Sequence, residues 1–317
     1  MSSISGIACA AAAVTACAAV AGAWLARGTT AVPAAWWACS AAIAFAIEAA
    51  AAADGAGDPA ALESWRLVVA ALSLCPIMAL LGAKRPQHGV WQFIVAALGG
   101  ILALPAASAA LVRPGSPPDV HPLQRWFMLA VVLVAGANFV ATRHSFAALL
   151  VVTGQTLLLR TLLPFGGNGV RQGAALDALG ASIVAFGAAV AAVQSGLLPV
   201  RPKTAGSGRG PGGSTDFTAE IGGFLALRET LGAAWTLRIA ERFNAEASAR
   251  GWPCRLRFDG LHVEGDSADG GWQADAGRTA RALLRRFVSP AWLRRHGCAA
   301  GIHGPSRATM VNHPPGG

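Results

Sequence analysis

The sequence predicts a mainly α protein: a polytopic transmembrane helix bundle of about seven spans, followed by a small α+β cytosolic C-terminal domain. Three observations lead there. Only 13% of the 317 residues are charged and 54% are hydrophobic, whereas an ordinary soluble domain carries about a quarter charged residues. The charge is also uneven: residues 1–200 hold nine Lys/Arg and six Asp/Glu, and residues 201–317 hold sixteen and ten. Finally, Trp24, Trp36, Trp37, Trp65, Trp91 and Trp126 all fall at the ends of apolar runs, where an amphipathic ring settles in the headgroup layer. Disorder over most of the chain is excluded, because it requires low hydrophobicity.

In order along the chain, seven segments are apolar enough to cross a bilayer: residues 4–26, 34–53, 67–83, 91–112, 126–142, 145–163 and 174–199. Each must satisfy its own backbone as a helix, because the bilayer core holds no water. The first segment is expected to stay uncleaved. Met1-Ser-Ser-Ile-Ser5 lacks the basic residues a secretory signal needs, and Val14-Thr15-Ala16-Cys17, although it resembles a lipoprotein cleavage box, lacks the same basic lead-in. Residues 201–215 are rich in Gly, Pro and Ser, with no aliphatic side chain larger than Ala, and read as a flexible linker. Residues 216–297 form the small domain. The tail, 298–317, has no apolar periodicity and is expected to be disordered.

Alternating crossings put Arg27, Lys84, Arg85, Arg143, Arg201, Lys203 and Arg209 on one side, and Arg66, Arg113, Arg125, Arg160 and Arg171 on the other. Seven against five predicts an outside amino terminus and a cytoplasmic carboxyl terminus, in a bacterial inner membrane. Cysteine usage adds little: Cys9, Cys17, Cys39 and Cys75 fall in spans, Cys254 and Cys298 in the small domain, and no C-x-x-C occurs.

Three polar residues in the spans form a candidate intramembrane site. Glu48 is the carboxylate placed well inside a span; it reads as a proton carrier, a cation site, a partner for a buried Arg, or, preferred, a group reaching the nearby interface. Gln155, mid-span between Thr153 and Thr156, is expected to hydrogen-bond between helices, and Asn138 to stitch the hairpin whose turn holds Arg143 and His144. Pro76 and Pro105 are expected to kink the third and fourth helices. Small residues at four-residue spacing, Gly99/Ala103/Ala107 and Ala181/Ala185/Ala189, permit close helix approach.

In the small domain, Phe217, Ile221, Phe224, Leu231, Trp235, Ile239 and Phe243 mark a helical stripe that Gly232 can break. Residues 254–258 alternate as a strand, with Leu261 and Val263 as its continuation; residues 265–271 form a loop, and 278–288 a helix. Ser289-Pro290 starts a last short helix ending at Gly297. Arg281, Arg285, Arg286, Trp292, Arg294 and Arg295 are candidate membrane-surface contacts for anionic lipid headgroups, weighed against a solvated basic face. Nucleic acid is disfavoured because no reading motif accompanies the charge.

Residues 208–215 have phosphate-loop glycine spacing but neither the lysine nor a preceding strand, and are rejected as such. H-E-x-x-H and G-x-S-x-G are absent. No cofactor, metal or enzymatic activity is implied. Leu81-Gly-Ala-Lys-Arg-Pro86 with Trp91, Asn138-Phe-Val-Ala-Thr-Arg143 and Arg286-Phe-Val-Ser-Pro-Ala-Trp292 together resemble a group of uncharacterised bacterial multi-pass membrane proteins. That resemblance spans most of the chain and implies a membrane fold but no activity. The expected role is a non-enzymatic membrane scaffold or sensor whose cytosolic module meets an unknown protein partner or the lipid bilayer. The alternative is a small-solute or proton-coupled transporter.

Overall fold

The computed structural model describes residues 3–54, 58–82, 88–165, 174–197, 215–264 and 271–298. The front of the chain is α1 (Ser3–Leu25), α2 (Val32–Asp54), α3 (Pro59–Leu81), α4 (His88–Val112), α5 (Pro122–Phe139), α6 (Ser145–Leu159) and α7 (Ala174–Leu197). Six of these are long and apolar enough to cross a membrane; α6, at 15 residues, is shorter. Helix starts follow local chemistry. Asp58 Oδ1 accepts from the Ala60 N–H ahead of Pro59, and His121 caps α5 ahead of Pro122, proline being pre-set for the first helical turn. Relative to expectation, α3 begins eight residues earlier, because Asp58-Pro59 forms a cap that outweighs the polar Glu63 and Arg66.

Around the bundle, α1 packs on α2 and α7, α2 on α3, and α7 on α6; α5 lies against α6 and α3, while α4 flanks α3. Glycine sets the α6–α7 approach. A Cβ on Gly154 would fall 2.6 Å from the Gly180 carbonyl oxygen, and one on Gly187 3.0 Å from that of Ala147. Ala181 and Ala185 of the predicted small-residue row pack instead with Ala11 of α1. Most of the outer surface is apolar: Phe93, Leu111 and Val112 of α4, Leu123 of α5 and Trp24 of α1 are all more than 60% exposed. Of the six long helices, only α3 has more than half of its apolar window buried, 56%. Exposed apolar area on this scale suits lipid and not water.

The C-terminal module contains α8 (Thr215–Leu231), α9 (Ala233–Ala249), a hairpin of β1 (Cys254–Arg257) and β2 (Gly260–Val263), α10 (Gly271–Leu284) and α11 (Pro290–Arg295). The predicted stripe is broken at Gly232, whose φ of 78° is the left-handed region glycine tolerates. Leu261 and Val263 do not continue the first strand. They return antiparallel to it, Cys254 opposite Val263, around Gly260. The predicted linker lies outside the described residues except for Thr215, and the predicted tail does so except for Cys298, which is buried with its thiol donating to the Ala219 carbonyl at 3.2 Å.

The module is fastened to one end of the bundle. Thr30 N–H donates to the Phe287 carbonyl at 3.0 Å and Ser289 N–H to the Gly28 carbonyl at 2.6 Å, around an antiparallel Thr29–Val288 bridge. The Trp235 indole donates to the Leu80 carbonyl at 2.9 Å. Asn138 does not stitch its own hairpin. Its amide nitrogen donates to the Leu231 carbonyl and its oxygen accepts from Ala234 N–H, both at 3.0 Å, so it holds the α8–α9 break. These bonds reach the α1–α2 turn, the end of α3 and the α5–α6 corner, which therefore share one end. One cluster of buried side chains runs from Leu74 and Met128 in the bundle to Phe224 and Leu284 in the module.

Gly232→Ala is expected to loosen this joint. Its Cβ would lie 2.5 Å from the Asn138 carbonyl oxygen, in addition to the positive φ. The strained backbone alone costs about 1–3 kcal/mol, at about 2–4 °C per kcal/mol for a chain of this class. A detergent melting curve checks this; an unchanged midpoint would contradict the joint.

Candidate functional site

Inside the ring formed by α1, α2, α3, α6 and α7 lies a cavity of about 1170 Å³. Its middle is lined by small apolar side chains, among them Ala38, Ala42, Ala148, Val151, Val184 and Ala188. Alanine fills little space, so the Ala-rich helices α1, α2 and α7 leave the axis of the ring open.

The end away from the module carries a charge network. Arg66 Nε donates to Glu48 Oε1 at 2.9 Å and its Nη2 to Asp177 Oδ2 at 3.0 Å, while Arg160 Nη1 donates to Asp177 Oδ1 at 2.6 Å. Four helices supply it: α2 near its end, α3 in its second turn, the residue after α6, and the first turn of α7. Two cations meet two carboxylates, and Glu48 is only 7% exposed. A buried ion is tolerable when paired and hydrogen-bonded in this way. Glu48 is thus not alone; it is the partner of an Arg. Midway along the cavity, Gln155 donates to the Ser73 carbonyl at 3.0 Å and to the Ser73 hydroxyl at 3.2 Å. That bond joins α6 to α3 one helical step before Pro76.

The module end is built differently. Glu229 is buried; it accepts from Arg143 N–H at 2.9 Å and from Arg228 Nε at 2.8 Å. Arg143 Nε donates to His144 Nε2 at 3.2 Å, so the ring's proton sits on Nδ1, facing Gln194 Oε1 at 3.0 Å. Arg143, His144 and Glu229 line the cavity together with Trp292, Arg295 and His296 of the module.

Of the sequence-predicted site residues, the structure brings Glu48 and Gln155 to one cavity and leaves Asn138 outside it, in the joint. Among the surface candidates, Trp292 is 3% exposed and stacks on His296, and Arg281 is turned inward onto the fully buried Glu220. Arg285, Arg286, Arg294 and Arg295 are exposed. Sequence reasoning missed Arg66, Arg160 and Asp177 as partners. Arg160 ends one apolar run and Asp177 begins the next, which antiparallel helices bring to one depth; that was the available signal. Among the described residues no three His, Cys, Asp or Glu side chains gather as a metal set. No family model, no curated protein and no solved structure matches the chain.

Burial and the adjacent Arg143 charge lower the His144 pKa from its ordinary 6.5, only partly offset by Gln194 and Glu229. Protonating Nε2 would also lose the bond from Arg143 and set two cations together. The unfolded chain therefore binds the proton more readily, and stability falls as pH drops below about 6.5 until the lowered native pKa is passed. Melting curves between pH 8 and 5 are expected to show this loss, and His144→Gln to make it shallower. Equal slopes in both proteins would contradict the assignment.

Proposed function

We propose that the protein is a seven-span membrane sensor: a non-enzymatic inner-membrane bundle that holds a small ligand in its axial cavity and presents the occupancy through a cytoplasmic module. One observation carries this. The module lines the cavity and is hydrogen-bonded to the bundle at the same end, through Asn138, Arg143 and the Thr29–Val288 bridge. A side chain moved in the cavity therefore moves groups on which α8 and α9 rest. Orientation follows from the same end: the turns that hold the module include Arg27 and Arg143, and a basic surplus marks the cytoplasmic face. The short α6 counts as a crossing in this reading. At about 22 Å it links His144 at the module end to Arg160 at the other, both satisfied by protein partners. The exposed Arg285, Arg286, Arg294 and Arg295 would face anionic headgroups beside that end.

Reporter fusions test the topology. Cytoplasm-active reporters are expected to work after Thr30, Pro86, Arg143 and Thr204, and export-dependent ones after Gly57, Pro117 and Gly167. Two consecutive sites on one side would overturn the seven-span reading.

A transporter is the second reading, favoured by a cavity that carries ionisable groups at both ends. Proton flux in proteoliposomes separates the two. A transporter conducts and loses flux in Glu48→Gln and Gln155→Leu while remaining folded; a sensor conducts nothing even in the parent protein.

A further inference from the structure

We infer that the cavity is a binding site for an anionic single-chain amphiphile, its acyl chain along the alanine-lined axis and its headgroup beneath the module. The inference rests on the sensor reading and supplies its ligand class. Length comes first. Ala34 and Glu48, fourteen residues apart on α2, both line the cavity, so it runs for about 21 Å along the helix axis. That suits an extended acyl chain and is long for a compact polar solute. The wall between the two ends is mostly apolar, Ala and Val with Phe45, Ile77 and Leu158, and the Gln155 amide nitrogen there is already engaged by Ser73. Such a wall offers an apolar chain contact along most of its length and offers a sugar or amino acid few hydrogen bonds.

The two ends differ in charge, and this fixes the direction. At the far end Arg66 and Arg160 are matched by Glu48 and Asp177, so the network carries no surplus. Beneath the module, Arg143 and Arg295 line the cavity against the single carboxylate of Glu229, which Arg228 also engages. Arg295 bonds only a neutral acceptor, the Arg27 carbonyl, and has no ion-pair partner among the described residues. A surplus of guanidinium at the mouth of an apolar channel matches a carboxylate or phosphate head. The head then sits against Arg295 of α11 and the capping residue His296, at the end of the helix that follows directly on the Thr29–Val288 bridge, so occupancy acts on the joint itself.

The test is photolabelling of the full-length protein in nanodiscs of neutral phosphatidylcholine, with palmitate bearing a mid-chain diazirine. Label is expected on peptides holding Val151 and Val184, removed by excess palmitate and about tenfold less efficiently by hexadecanol, which lacks the charge. Lysophosphatidylglycerol as a third competitor distinguishes a membrane-lipid source from a free fatty acid. Ala148→Phe and Ala188→Phe, on different helices, should each abolish the cavity label while label on the lipid-facing Phe93 of α4 persists. Arg295→Gln should erase the preference for palmitate over hexadecanol. Equal competition by acid and alcohol in the parent protein overturns the inference even if a Phe variant misfolds. So does cavity label that survives both Phe variants. The topology map is read independently, so a correct seven-span protein with an empty cavity would be recognised as such.

Discussion

The backbone pairing between the α1–α2 turn and the segment joining α10 to α11 is the constraint on which the rest of the structure depends. Thr29 and Thr30 lie at the surface of the bundle, at the point where the chain leaves one apolar helix and enters the next. Main-chain groups on either side of Thr29 would otherwise need water; instead Thr30 N–H donates to the Phe287 carbonyl and the Gly28 carbonyl accepts from Ser289 N–H. Gly28 makes the approach possible: with φ at 85°, a Cβ there would meet the Ser289 hydroxyl oxygen at 2.5 Å. Because the pairing is made by backbone, it fixes position and direction at once. From it follow the burial of Trp292, the closure of the cavity by α8 and α11, and the contact of Asn138 with the α8–α9 break.

Electrostatics divides the molecule into two unlike ends. The far network is neutral in sum and links α2, α3, α6 and α7, four of the five helices that surround the cavity. Buried pairs of this kind contribute little net stability compared with apolar packing, yet losing one partner strands the other at a cost of about 3–5 kcal/mol. Their effect is to hold helix ends in register. The near end is basic and is completed by residues that arrive 86 positions later in the sequence, as with Arg143 and Glu229. One end is a lock within the bundle, and the other is a joint between bundle and module.

Much of the architecture was legible in advance. Apolar length and end-placed tryptophan located all seven front helices to within a few residues at most ends, because in such segments burial of backbone leaves the chain no alternative. The break at Gly232 and the cap at Ser289 were legible for the same local reasons. The tryptophans proved to have two uses. Trp24, Trp36 and Trp126 are exposed on the bundle, whereas Trp37, Trp65 and Trp91 donate their indole N–H groups to Gln92, Ala44 and Met78 on neighbouring helices. What could not be read was partnership across long sequence separation. Glu48 alone suggests an isolated carboxylate, and only the fold reveals Arg66 beside it. Asn138 looks local because its hairpin is near, but the orphan backbone at a helix break a hundred residues on is the stronger acceptor and donor set. The basic segment at 281–295 reads as one amphipathic face, yet two of its six candidates turn inward once α8 and the α1–α2 turn supply a core.

The pairing of module and bundle can be measured directly in native membranes. In a chain whose six cysteines are replaced by alanine, Thr29→Cys and Val288→Cys would place two thiols at an antiparallel pair, with Cα atoms about 4.5–5.5 Å apart, inside the range a disulfide spans. Mild oxidation is expected to close this bridge nearly completely, and to leave a Thr29→Cys/Val263→Cys control open. If the two pairs oxidise to the same extent, the module is not seated on the bundle end and the account fails.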